Sequence, residues 1–124
     1  MLNHLRERVI ETLSASRTAT LSTHGAAGIQ ANVFPFESID LGLYLLVPRT
    51  SDHLFNLEHN PEVVVTTETW QVRGTARIAP ERATGLALLQ QPDAAWCEVV
   101  LVRPTRLQIE RPGGSGHAET IDID

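Results

Sequence analysis

The sequence predicts a mainly β protein with helices, an antiparallel barrel carrying its helices at the edges. Three observations lead there. Five or six short apolar or alternating runs are separated by turn residues at close spacing. Residues 70–78 alternate strictly, with Trp70, Val72, Gly74, Ala76 and Ile78 on one face and Gln71, Arg73, Thr75 and Arg77 on the other. Three helical patterns, one before and two between the strand-like runs, stay short.

Taken in order, Leu2, Leu5, Val9 and Leu13 form one apolar stripe and predict a first helix. "RTATLST" reads as a strand, and "HGAAG" (24–28) supplies a hairpin turn into "IQANVFPF". Pro35 in that second strand predicts an edge or a bulge. "ESIDLG" turns the chain, and "LYLLVP" reads as a buried strand. Ser51 opens a short helix with Leu54 and Leu57 as its buried face, stopped by Asn60-Pro61 because the residue before proline avoids the helical region. "EVVVTTE" and "WQVRGTARI" are further strands. Pro80-Glu81 predicts a third helix running to Pro92, and "WCEVVLVRPTRLQIE" a long last strand interrupted near Pro104. Residues 1–111 are thus read as the barrel domain. Residues 112–124 form a glycine-rich, then acidic, tail, expected to be mobile or packed on a partner.

With 124 residues, 42% hydrophobic and 20% charged, the chain has the composition of one ordinary globular domain. No apolar run is long enough to cross a bilayer, and the lone Cys97 fits a reducing compartment, so a cytoplasmic protein without membrane partners is expected. A net charge of −5 argues against nucleic acid as a partner. All ten basic residues are arginine, which removes lysine Schiff-base chemistry. The modest number of aromatic residues leaves a small core, which favours a homodimer.

Metal chemistry finds no support. His53 and His59 point in different directions on a helix, and His4, His24 and His117 lack neighbours at ligand spacing. No nucleophile elbow or glycine-rich phosphate loop is present, and Glu98 and Glu110 lie too far apart to act as an acid–base pair. No catalytic side chain is assigned. The remaining candidate is "VPRTSDHLFNLEHNP" (47–61). Ser51 is a preferred N-cap there, and Arg49, Thr50 and Ser51 could together hold a phosphate, while Asp52 opposes an anion.

The order of these elements, with Asn56-Leu57-x-x-Asn60-Pro61-x-Val63 and Val72-x-Gly74-x-Ala76, resembles the pyridoxamine 5′-phosphate oxidase-like family of FMN-binding split barrels. The resemblance covers about residues 5 to 110. It implies a six-stranded antiparallel split β-barrel that is homodimeric, with flavin in a groove between subunits. Pro48, Arg49, Thr50, Ser51 and His53 would then meet the FMN phosphate. Asn32, Val33 and Phe34 would lie along the isoalloxazine ring, with Trp70 and Gln71 approaching from the fifth strand. His53 stands where the family usually has lysine, and Thr18 and Thr23 stand where full flavin oxidases carry basic residues. The Arg-x-His motif and stacking tryptophan of the vitamin B6 oxidases have no match in "LQIERPGGSGHAE", so that activity is not expected. Two readings follow: an FMN-dependent oxidoreductase of unassigned substrate, or a non-catalytic dimer of the same fold that binds flavin weakly, takes F420 or haem, or binds nothing.

Overall fold

Seven strands and two α-helices make up the chain in a computed structural model, which describes residues 2–82, 85–110 and 119–123. Helix α1 spans Asn3–Ser14 and α2 Asp52–Leu57. The strands are β1 Thr18–Gly25, β2 Gly28–Ile39, β3 Gly42–Pro48, β4 Glu62–Thr66, β5 Trp70–Ile78, β6 Cys97–Ile109 and β7 Glu119–Asp122. The sheet runs β3-β2-β1-β4-β5-β6, and β3 also pairs with β6, which closes a six-stranded antiparallel barrel. Among the described residues no helix is long and apolar enough to cross a membrane.

The alternation of β5 is realised: Trp70, Val72, Gly74 and Ala76 are buried, and Gln71, Arg73, Thr75 and Arg77 are exposed. Trp70 sits inside the barrel, edge-on to Phe36 with ring centroids 5.9 Å apart. The α1 stripe holds in part. Val9 and Leu13 are fully buried and Leu5 packs beside them, but Leu2 precedes the helix and is exposed.

The unbroken apolar run of β3 has a separate cause. Leu43, Leu45 and Val47 face the barrel interior, while Tyr44 and Leu46 face outward into a second cluster with Ala79, Leu86, Leu88, Val99 and Leu101. A strand covered on both faces reads as continuous hydrophobicity rather than alternation. The outer cover is made by the segment expected to be the third helix, and here the expectation fails. That segment forms three 3-10 turns, Pro80–Arg82, Ala87–Gln90 and Pro92–Trp96, with Gly85 at φ 85° interrupting helical geometry. Pinning Leu86 and Leu88 onto β3 outweighs continuing a helix, and the Glu37 carboxylate accepts the Leu88 N–H at 3.0 Å to hold the turn there.

β6 serves three neighbours. It pairs with β5 along most of its length, with β3 through residues 97–102 and with β7 through residues 106–109. Pro104 falls in the gap between β3 and β7, where that edge lacks a strand partner. Opposite it, the β5–β6 register shifts between Arg73 and Gly74, and the extra residue, Thr105, donates its hydroxyl to the Arg73 carbonyl at 3.1 Å. The tail expected to be mobile or partner-bound instead contributes β7 at residues 119–122, with Ile121 and Ile123 buried in the main core. Residues 111–118, including His117, lie outside the described residues.

β2 pairs with β3 only through Phe36–Ile39, so, among the described residues, 28–35 have one free edge, the first of the two outcomes, edge or bulge, that Pro35 led us to expect. On this projecting hairpin Ile29 is 86% and Val33 65% exposed.

A Cβ on Gly74 would lie 2.4 Å from the Arg103 carbonyl oxygen, a backbone atom that cannot swing aside. Gly74→Ala is therefore expected to destabilise the protein by about 3 kcal/mol through forced separation of β5 from β6. A urea unfolding midpoint close to wild type would show that the bulge relaxes freely.

Candidate functional site

Helix α2 closes one end of the barrel, over the β1–β2 hairpin. Ser51 caps it as expected, its hydroxyl oxygen accepting the His53 N–H at 3.1 Å. Its buried face differs from the expected Leu54–Leu57 pair. Those two are half-buried, whereas His53 is 1% and Asn56 0% exposed. The inward face reads His53, Asn56, Leu57, Asn60, a correct helical spacing carried largely by polar groups.

These polar groups are paired with the hairpin. Asn56 Oδ1 accepts the Ala27 N–H at 2.9 Å, and Asn56 Nδ2 donates to the Gly28 carbonyl at 3.0 Å and to Thr23 Oγ1 at 3.1 Å. Asn60 Nδ2 donates to the His24 carbonyl at 3.0 Å. Thr23 Oγ1 lies 2.8 Å from His53 Nδ1, and His53 Nε2 lies 2.9 Å from Asn32 Oδ1. Phe34 meets the His53 ring edge-on at 5.3 Å.

Backbone groups, whose donor and acceptor roles are fixed, determine the direction of the Asn56 bonds in this chain. An amide N–H at Ala27 demands the oxygen of Asn56, so its nitrogen faces Gly28 and Thr23. Thr23 accepts from that nitrogen, which leaves its hydroxyl proton available to His53 Nδ1. With that proton given, His53 is neutral with its own proton on Nε2, and Asn32 accepts through Oδ1. Burial pushes the His53 pKa below its ordinary value, against a weaker upward pull from Asp52.

The structure brings Asn32, Phe34, Ser51 and His53 into direct contact, with Thr50, Arg49 and Pro48 following on the adjoining turn. Arg49 is half-exposed and lies 3.3 Å from the Glu98 carboxylate, while its N–H donates to the Trp96 carbonyl. Val33 and Gln71 lie elsewhere, on the outer barrel surface. There Val33 borders an open trough of about 530 Å³ with Thr18, Thr20, Thr66 and Thr67, and Gln71 sits opposite Thr66. The Trp70 ring is enclosed in the core, 1% exposed, so it offers no surface to an external ligand. The important residues without an assigned role in the sequence are Thr23 and Asn56. Their signal is a poor helix former, asparagine, placed one turn from histidine on the inward face. Among the described histidines, His53 has both ring nitrogens occupied and is no ready axial ligand for haem, whereas His4, His24 and His59 lie outside this pair of bonds, with His24 Nε2 3.0 Å from Asn60.

Asn56→Ala would leave the Ala27 N–H, the Gly28 carbonyl and the Thr23 hydroxyl without this partner, and is expected to cost about 3 kcal/mol in urea unfolding. His53 adds a pH signature. Because its folded pKa is depressed, its contribution is fully present above the ordinary value of 6.5 and is lost as the pH falls below it. The stability gap between wild type and His53→Gln should narrow between about pH 7.5 and 5; a constant gap would contradict a neutral buried ring.

No protein-family model matches the sequence, and no curated protein does. Solved structures do match in shape. A protein related to general stress protein 26, of the pyridoxinephosphate oxidase family, from Clostridium acetobutylicum superposes with a TM-score of 0.72 at 14% identity, covering 99% of this chain and 97% of that one. General stress protein 26 from Bacillus anthracis gives 0.70 at 19% identity, covering 97% and 99%. A heme binding protein from Mycobacterium smegmatis gives 0.68 at 16% identity, covering 98% of this chain but 59% of that one. With its closed barrel, strand order and these likenesses, the chain has the split β-barrel fold of the pyridoxamine 5′-phosphate oxidase-like proteins.

Proposed function

We propose that the protein is a homodimeric split barrel that binds a flavin along β2, holding the ring better than the phosphate. The observation that carries this is the occupation of His53 at both ring nitrogens, beside a β2 edge that stays open. Among the described residues, 28–35 offer a free strand edge, with Asn32 exposed on the α2 side and Val33 on the outer surface, which suits a planar ring laid along the strand and covered by a second subunit. Ile29 and Val33 supply the apolar surface such a subunit would cover.

The phosphate end fits FMN poorly. His53 is neutral and turned inward, Arg49 is shared with Glu98, Asp52 repels an anion, and the Ser51 oxygen already accepts a backbone N–H. What remains for a phosphate is the Ser51 and Thr50 hydroxyls and part of Arg49. Two missing charge-assisted bonds, at about 1.5–3 kcal/mol each, correspond to roughly 10²- to 10⁴-fold weaker FMN binding than a fully cationic cradle would give. A bound flavin would supply hydride or electron transfer, and the chain would supply the groove and its electrostatics. Oxidoreductase activity is then conditional on the flavin being retained, and weak retention favours a binding role over a turnover role.

Titrating the purified protein with FMN and with riboflavin, followed by flavin fluorescence, tests this directly. Riboflavin is expected to bind within about tenfold of FMN, since the phosphate adds little. FMN binding more than about 100-fold tighter than riboflavin would overturn the weak-phosphate reading, and no saturation of either below about 100 μM would overturn flavin binding itself. Val33→Asp should weaken both flavins and shift the dimer towards monomer in analytical ultracentrifugation.

A further inference from the structure

Asn32 is the one member of the buried chain that reaches the surface. Its Oδ1 is held by His53 Nε2 at 2.9 Å, and its Nδ2 has no hydrogen-bond partner among the described residues. The Ala27 N–H and Gly28 carbonyl fix the amide of Asn56, whose Nδ2 takes one acceptor site of Thr23. The Thr23 hydroxyl proton, given to His53 Nδ1, leaves Nε2–H facing Asn32 Oδ1. We propose that this relay makes Asn32 a ligand-positioning residue, its Nδ2 turned outward to donate to an uncharged acceptor, such as a ring carbonyl, on the edge of a planar ligand lying along β2. The inference rests on the flavin-class reading above and deepens it by specifying which edge chemistry the groove accepts.

The physical case is one of preorganisation. An exposed asparagine ordinarily samples both amide orientations, and a ligand that needs one of them must pay to select it. Here the reversed orientation would set the Asn32 NH2 against the His53 Nε2–H, two donors facing each other at a buried ring. Reversing the amide alone is therefore disfavoured, and reversing the His53 tautomer with it would turn the Thr23 hydroxyl proton away from its ring partner, while Asn56 stays fixed on the Ala27 N–H and Gly28 carbonyl. A ligand edge that offers a donor at Asn32 meets N–H against N–H, whereas a carbonyl meets a donor already aimed at it. Discrimination against a polar mismatch at such a position is steep once the bound ring and a covering subunit exclude water from it.

The relay can be read without any ligand. Long-range ¹H–¹⁵N spectra of the imidazole should show His53 neutral, protonated at Nε2 and bare at Nδ1, at pH 7. Thr23→Val, which removes the donor to Nδ1 at nearly constant volume, should bring both tautomers into the spectrum. An Nδ1–H tautomer or an imidazolium in the wild-type protein would overturn the relay. The ligand half is read with riboflavin as probe. Asn32→Asp, the same shape without the donor, should weaken riboflavin at least tenfold, while Ser22→Ala on the outer face of β1 should not. Unchanged riboflavin affinity in Asn32→Asp would overturn the positioning role even with the expected tautomer. Absence of riboflavin binding in the wild type would overturn the flavin reading and the ligand half together, while the spectra still decide the relay.

Discussion

The side-chain amide of Asn56 is the constraint on which this end of the molecule depends. It is fully buried, and it answers one backbone N–H, one backbone carbonyl and one hydroxyl at once. Gly25 allows that approach, since a Cβ there would stand 2.8 Å from Asn56 Oδ1. A six-residue helix has almost no stability of its own, because nucleation costs more than so few bonds return. Helix α2 exists because its inward polar groups are the missing partners of the hairpin turn. The hairpin projects in a defined direction because α2 holds its tip. Helix, turn and the start of β2 are one cooperative unit.

Two departures from the flavin-oxidase pattern thereby become a single fact. Thr23 and His53 stand where the family resemblance implies basic residues, and here they bond each other at 2.8 Å inside the protein. A lysine at either position would have to bury a charge beside the other or swing out of the barrel end, and at position 23 it would also leave the Asn56 amide short of an acceptor. Burial favours the pair as two neutral groups. Loss of charge at this site is better described as replacement of an ion-binding arrangement by a closed neutral one than as decay of the former.

Much of the fold was legible in the sequence, and the reason differs by element. The β5 alternation is a local signal and holds as far as Ala76, with Ile78 exposed, whereas the strand expected to break near Pro104 runs on unbroken through residues 97–109 and shows only a register shift there. The apolar run at β3 announced burial but could not say that two different clusters bury it. The third helix failed because its leucines answer to a tertiary surface, Tyr44 and Leu46, rather than to a helical stripe. The site was legible as a place but not as chemistry. Ser51 revealed the cap. The inward turn of His53 depends on Thr23 and Asn32, 30 and 21 residues away, and no local pattern encodes that pairing. Trp70, which the family resemblance placed near the flavin, is set in the core by the pleat of β5.

The treatment of strand edges ties the fold to the proposed function. β6 beyond residue 102 has lost β3 as a neighbour and would be open, but β7 covers it. That cover is fastened by buried Ile121 and Ile123, by the Arg106–Asp122 pair at 3.0 Å and by the ion pair of Arg8 with Glu119. An uncovered edge invites unwanted pairing, and β7 prevents that. The edge of β2 over residues 28–35 receives no such cover from the described residues, although it carries two of the most exposed apolar side chains, Ile29 and Val33. One edge is closed at the cost of an added strand, and the other is left open beside the amide of Asn32. The contrast is what a binding edge requires, and it is the strongest structural reason to look for both ligand and second subunit along β2 rather than elsewhere on the barrel.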